Sequence, residues 1–164
     1  MAALDRFKHA QEQSYAGFDT ALEEMRAGHK RSHWIWYIFP QLSSLGSSEA
    51  SRMFGIHGLA HAMAYLGDPL LRRRFLTITQ VVAEKVEHDR VPLRTLMGSE
   101  IDAKKLVSSL TLFEPAARAL DATEPQAELR SIADTCGRVL RAAAAEGYPR
   151  CPLTLEHIAS AEGG

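Results

Sequence analysis

Apolar residues recur at spacings of three and four along most of the chain, the period of an amphipathic helix. The first stripe is Leu4, Phe7, Ala10, Gln11, Tyr15, Phe18, Leu22 and Met25, which predicts a helix over 5–27. Gly17 is its weak point, because glycine costs about 1 kcal/mol relative to alanine inside a helix. Gly28 is a natural stop, since glycine accepts the left-handed conformation that ends many helices. Residues 42–47 read as a loop, and Ser47 or Ser48 caps a helix reaching Leu66. Its inward positions are Met53, Ile56, Leu59, Ala60, Met63 and Leu66. Asp68 at the cap and Pro69 at the first position open another helix, to about His88.

Pro92 begins a short helix that Gly98 ends. Asp102 is expected to cap a helix over 103–120 with the stripe Leu106, Leu110, Phe113, Ala117 and Leu120. Pro115 lies inside that stripe and predicts a kink or break near residue 111, because proline lacks the N–H the helix needs. Residues 126–146 and 153–160 complete the series. Every clear periodicity is helical, and no repeat or linker divides the chain. The expectation is an all-α, single compact domain of about seven helices over 1–164.

One stretch does not follow the stripe. Gly28-His-Lys-Arg-Ser-His-Trp-Ile-Trp-Tyr-Ile-Phe-Pro-Gln41 holds both tryptophans of the chain, with a basic cluster just ahead of them. Trp34, Trp36 and Ile38 alternate as a strand would, but a lone strand has no partner. A short helix over 33–39, capped by Ser32, is therefore predicted.

Composition adds limits. The chain has 164 residues, enough for one cored domain, and a formal net charge of −1. That charge disfavours nucleic acid and anionic membrane as partners. No apolar run approaches the roughly 18–20 residues of a membrane span, and the charged start is unlike a signal peptide. A cytoplasmic protein is expected. Cys136 and Cys151 form neither a close pair nor a zinc cluster, so both are expected to be reduced and structural.

Phosphate loops, dinucleotide fingerprints, His-Glu-x-x-His and Gly-x-Ser-x-Gly are all missing. His29 and His33, and His57 and His61, are spaced to share a helix face, yet no carboxylate stands where it would complete a metal site. No metal and no cofactor is assigned.

The chemistry-bearing groups are Lys30, His33, Trp34, Trp36 and Gln41. Lysine supplies fixed charge, histidine a proton near neutral pH, indole a flat stacking face and glutamine mixed hydrogen bonding. On the helix after Asp102, that residue, Lys105 and Ser109 share one face at spacings of three and four. Of Arg72, Arg73 and Arg74, two are expected in solvent and one, Arg73, within reach of an anion.

The pattern Lys30-x-x-His33-Trp34-x-Trp36-x-x-Phe39-Pro40-Gln41, with Leu45-Gly46 and Ser48, resembles the signature of a bacterial domain-of-unknown-function family, number 1810 in its series. Arg6-Phe7, Ala10-Gln11, Ala64-Tyr65-Leu66, Arg73, Gly98, Asp102, Lys105, Ser108-Ser109 and Thr111-Leu112-Phe113 fit the same pattern. The resemblance implies a compact, mainly helical domain and assigns it no particular activity; the label calpastatin carried by some members finds no counterpart here. The sequence departs from the pattern near Phe54-Gly55-Ile56 and after residue 121.

Two functions follow as expectations. The first is a site with Lys30, His33, Trp34, Trp36 and Gln41 on one wall and Asp102, Lys105 and Ser109 opposite. It would bind a small anionic or aromatic ligand, nucleotide-like or ADP-ribose-like. If it is catalytic, hydrolysis or group transfer is the class, with His33 or Asp102 as acid or base. The second is a non-catalytic scaffold or interaction domain, in which the tryptophans plug the core and the polar residues bond internally.

Overall fold

The computed structural model describes residues 2–163, which contain ten α-helices and no strand. Seven of these run nine residues or more: α1 (Ala2–Gln11), α2 (Phe18–Arg26), α5 (Leu59–Gly67), α6 (Pro69–Ala83), α8 (Glu100–Thr123), α9 (Ala127–Ala145) and α10 (Pro152–Gly163). The short ones are α3 (Ile35–Ile38), α4 (Glu49–Phe54) and α7 (Leu93–Met97). A π-helical turn, Glu84–His88, extends α6. The all-α expectation holds. No described helix is long and apolar enough to cross a membrane.

The helix α8 is the centre, packed along its length on α9 and on α5, with α6 closing the other side of α9. Phe113 of α8 meets Phe75 of α6 at 4.7 Å and Tyr65 of α5 at 5.2 Å between ring centroids, joining three helices in one aromatic cluster. Trp34, Phe39, Phe7 and Leu106 belong to the same continuous core.

Four predicted boundaries are corrected, three by a backbone requirement that periodicity does not see and the fourth by packing. The helix expected over 5–27 is two helices. Ala16 takes φ +58°, and a Cβ on Gly17 would collide with the Gln13 carbonyl, so the chain doubles back there. The break lets buried Gln11 donate to the Tyr37 carbonyl at 2.8 Å and to the Tyr65 hydroxyl at 3.0 Å, tying α1 to the aromatic stretch.

The helix expected to reach Leu66 is likewise split, into α4 and α5. Ile56 takes part in a short parallel bridge instead: its N–H donates to the Gln41 carbonyl at 2.9 Å and its carbonyl accepts from Ser43 at 2.9 Å. Gly55 is required beside it, because a Cβ would overlap Ser43.

The third correction concerns α8, which begins earlier than expected. Ser99 is its cap, accepting the Asp102 N–H at 3.1 Å, and Asp102 sits inside the first turn. A capping serine three residues before an acid is the capping-box spacing. The carboxylate of Asp102 is thereby left for another partner. Fourth, Pro115 does not break α8, which continues to Thr123. Packing on α5 and α9 outweighs the lost backbone bond, and the Thr111 hydroxyl donates back to the Val107 carbonyl at 2.7 Å.

Both cysteines are free. Cys136 is fully enclosed, and burial pushes its thiol well above the ordinary value. Cys151 is half-buried just before α10. Burial pushes its thiol up, but hydrogen bonding from the Ser108 and Thr154 side chains and the Thr154 and Leu153 backbone outweighs this and leaves it below the ordinary value. Limited iodoacetamide treatment of folded protein near neutral pH is therefore expected to label Cys151 well before Cys136. Peptide mass spectrometry showing equal labelling would contradict this account of the two thiols.

Candidate functional site

The aromatic stretch begins where α2 ends. Gly28 has φ +83° and its N–H donates to the Met25 carbonyl at 3.0 Å, the expected left-handed stop. The chain then runs along the α7–α8 corner. The Lys30 N–H donates to the Leu96 carbonyl at 2.7 Å, and a Cβ on Gly98 (φ +82°) would come within 2.9 Å of the Lys30 carbonyl oxygen. This close approach places Lys30 against the first turn of α8.

There the two segments singled out in the sequence meet. The Lys30 ammonium lies 2.8 Å from an Asp102 carboxylate oxygen, with 6% of the lysine side chain and 19% of the aspartate side chain exposed. It also donates to the Ser32 carbonyl at 2.6 Å and stands 5.0 Å over the Trp34 ring. Lys105, one turn further along α8, is 4.0 Å from the other Asp102 oxygen and 4.8 Å over the Trp36 ring. Lys30, Trp34, Trp36, Asp102 and Lys105 therefore form one group. Lys30 and Asp102 face each other as an ion pair, not across the open gap the sequence suggested.

Trp34 is fully buried and Trp36 half-buried. Trp34 is held by Glu24, which the sequence reading passed over. One Glu24 oxygen accepts from the N–H of Arg31 at 2.7 Å, the N–H of Ser32 at 2.9 Å and the Trp34 indole at 2.9 Å. Its other oxygen accepts the Ser32 hydroxyl at 2.6 Å. Burial alone would raise the carboxyl pKa, but the hydrogen bonds from Ser32, Arg31 and Trp34 bring it down to about 2. A signal was present: an acid in the last turn of a helix opposes the helix dipole, so its position needs another reason.

The remaining candidates are placed differently. His33 is exposed, and its carbonyl accepts from the Tyr37 hydroxyl at 3.2 Å. Gln41 is half-buried and shares with Trp36, Ser51 and Phe54 a cavity of about 10 Å³, room for one water. Ser109 is fully buried, and its hydroxyl lacks a partner. Arg73 stands on α6 with its guanidinium 3.5 Å from Glu128 of α9. The expectation of two solvent-facing arginines fails: Arg72 is buried on Glu128 and Leu66, and Arg74 reaches Gln11 and Glu12, leaving Arg73 as the exposed one. Among the described residues, no group of three or more His, Cys, Asp or Glu is arranged to hold a metal ion.

No curated protein matches the chain. Among solved structures, the conserved hypothetical protein Rv1873 from Mycobacterium tuberculosis is similar, with 32% identity and a TM-score of 0.73. That match covers 95% of this chain and 96% of the other. The share covered is too large to stop at residue 121, so the similarity extends into α9, where the sequence departs from the family pattern. A family model described as protein of unknown function (DUF1810) matches residues 1–131, which hold Glu24, the aromatic stretch, Asp102 and Lys105. The chain belongs to the DUF1810 family.

Proposed function

We propose that the domain binds a small planar anion, nucleotide-like or ADP-ribose-like, on the face formed by Trp36 and Lys105. The observation that carries this reading is the state of two adjacent groups. The Trp36 indole N–H is buried without a partner, and the Lys105 ammonium above its ring has only a 4.0 Å approach to Asp102. Buried polar groups are nearly always paired, so an unspent donor beside a loosely held cation is an unusual combination. A ring could replace the ammonium on the indole face while Lys105 swings to an anionic group. Lys30, Trp34 and Asp102 would then support the face from below, and His33 would be its exposed acid–base group.

The test follows tryptophan fluorescence and thermal stability across a nucleotide panel that includes ADP-ribose. A binding nucleotide should raise Tm and quench Trp36, Trp36→Phe should remove the quenching, and Lys105→Ala should weaken binding about tenfold. Incubation with each nucleotide, followed by chromatography, tests hydrolysis in the same samples. No stabilisation at millimolar nucleotide would sink the reading. The competing scaffold reading draws on Lys30, Trp34 and Glu24, whose polar atoms are already consumed by internal partners. It expects Lys105→Ala to leave every nucleotide response at zero.

A further inference from the structure

A second group of polar residues, none of them shared with the Trp36–Lys105 face, gathers around the segment at Gly55 where the sequence departs from the family pattern. A cavity of about 230 Å³ is lined by Arg6, Phe7, Gly55, His57 and His61. Arg6 comes from α1, His57 from the link after α4, and His61 from the first turn of α5. The two imidazoles stack at 5.1 Å with 17° between their planes. They are brought together by the link itself: the His57 backbone N–H donates to His61 Nδ1 at 3.0 Å.

That bond fixes the chemistry of the second ring. A nitrogen that accepts cannot carry the proton, so in neutral His61 the proton is on Nε2. This Nε2–H is buried and has no partner. Beside it stand the His57 ring, whose Nδ1 is 3.4 Å from the Ser43 hydroxyl, and the Arg6 guanidinium, which spends one N–H on the Met53 carbonyl at 2.8 Å. His157 of α10 approaches the same link at Gly58. No carboxylate lines the cavity. A metal is the wrong occupant, because Nδ1 of His61 is taken, Nε2 is protonated and a guanidinium stands alongside. Donors without acceptors, arranged around a cavity, suit an anion.

We infer that the Arg6–His57–His61 cavity binds a tetrahedral oxoanion, a free phosphate or sulfate or the phosphoryl group of a larger ligand. His61 Nε2–H and the free N–H groups of Arg6 donate to its oxygens, and the His57 ring N–H adds a further donor. Burial, the charge of His57 and the charge of Arg6 together hold the His61 pKa below its ordinary value, so His61 is neutral at neutral pH. His61 thus meets the anion as a neutral donor through Nε2–H, because a second proton would have to displace the His57 N–H from Nδ1.

The experiment follows the imidazole resonances of the full-length protein by NMR during titration with inorganic sulfate, whose charge is constant between about pH 5.5 and 8. The expected result is saturable movement of the His61 and His57 signals, about tenfold weaker binding in Arg6→Gln, and loss of the response in His61→Phe. Inorganic phosphate and a nucleoside monophosphate, tested in parallel, separate a free ion from a phosphoryl group as the preferred ligand. Lys105→Ala should leave the response of His57 and His61 to inorganic sulfate unchanged, which keeps the outcome separate from that of the Trp36 face. His61→Gln serves if the phenylalanine variant does not fold. Absence of saturable movement, or equal binding in Arg6→Gln, overturns the inference.

Discussion

Glu24→Ala is expected to lower the unfolding free energy by about 3 kcal/mol, more than any other single change on the surface of α2. The carboxylate accepts from four donors, and one of them, the Trp34 indole, is fully buried. Water can replace Glu24 at Arg31 but not at Trp34. The cost is therefore set by one stranded indole N–H and the Ser32 hydroxyl and backbone beside it. The same carboxylate gives a pH signature. Its folded pKa, about 2, lies below the unfolded value near 4.3. A depressed acid stabilises the fold at pH values above its unfolded pKa, and the contribution fades as pH falls toward 2. Solvent screening at this half-buried position trims that contribution to about 1–2 kcal/mol. Urea titrations of wild type and Glu24→Gln between neutral pH and pH 3 should converge as the pH drops. Parallel curves with a constant gap would remove the charged hydrogen bonds from this account.

The second large effect concerns Lys30 and Asp102. Asp102→Ala should cost about 3–5 kcal/mol, because it leaves an almost fully enclosed ammonium with only the Ser32 carbonyl and the Trp34 ring. Replacing both partners, as Lys30→Met with Asp102→Leu, should recover most of the loss, since an apolar pair of similar volume needs no desolvation of charge. Stability of the two single variants and the double variant by urea denaturation decides the matter. If Asp102→Ala costs under about 1 kcal/mol, the pair behaves as an exposed surface bridge and Asp102 is free for other chemistry. The outcome bears directly on His33 and Asp102 as acid–base candidates: an aspartate committed to Lys30 positions the aromatic stretch and leaves His33 as the remaining candidate.

Sequence reading picked out residues that meet in the fold for one reason and misjudged their exposure for another. Lys30, Trp34, Trp36, Asp102 and Lys105 stand out by residue type, and the structure brings those five together. Side-chain type does not say which face of a residue meets solvent. Ser109 lies on the expected face of α8, but α8 is the central helix and that face is covered. The imidazoles of His57 and His61 were expected to meet as neighbours on one helix. They meet because a backbone N–H caps a ring nitrogen across the start of α5. Arg73 was favoured over its neighbours as an anion contact, while α9 supplies a glutamate that draws Arg72 inward.

By itself the sequence determined the helical class, the long helices α6, α8 and α9, and the stops at Gly28 and Gly98, because these depend on periodicity and on backbone freedom that a few neighbours dictate. It also determined that residues 28–41 are the unusual part of the chain. Tertiary structure alone decided what that stretch does. The reversal at Gly17 and the Ile56 bridge arise where the backbone meets a close approach or a distant partner, and the cap at Ser99 leaves Asp102 to be claimed by Lys30 across the fold. Those three choices set α1, the aromatic stretch and Asp102 in place. They made Lys30 and Trp34 interior residues, and they left Trp36 and Lys105 at the edge of the core.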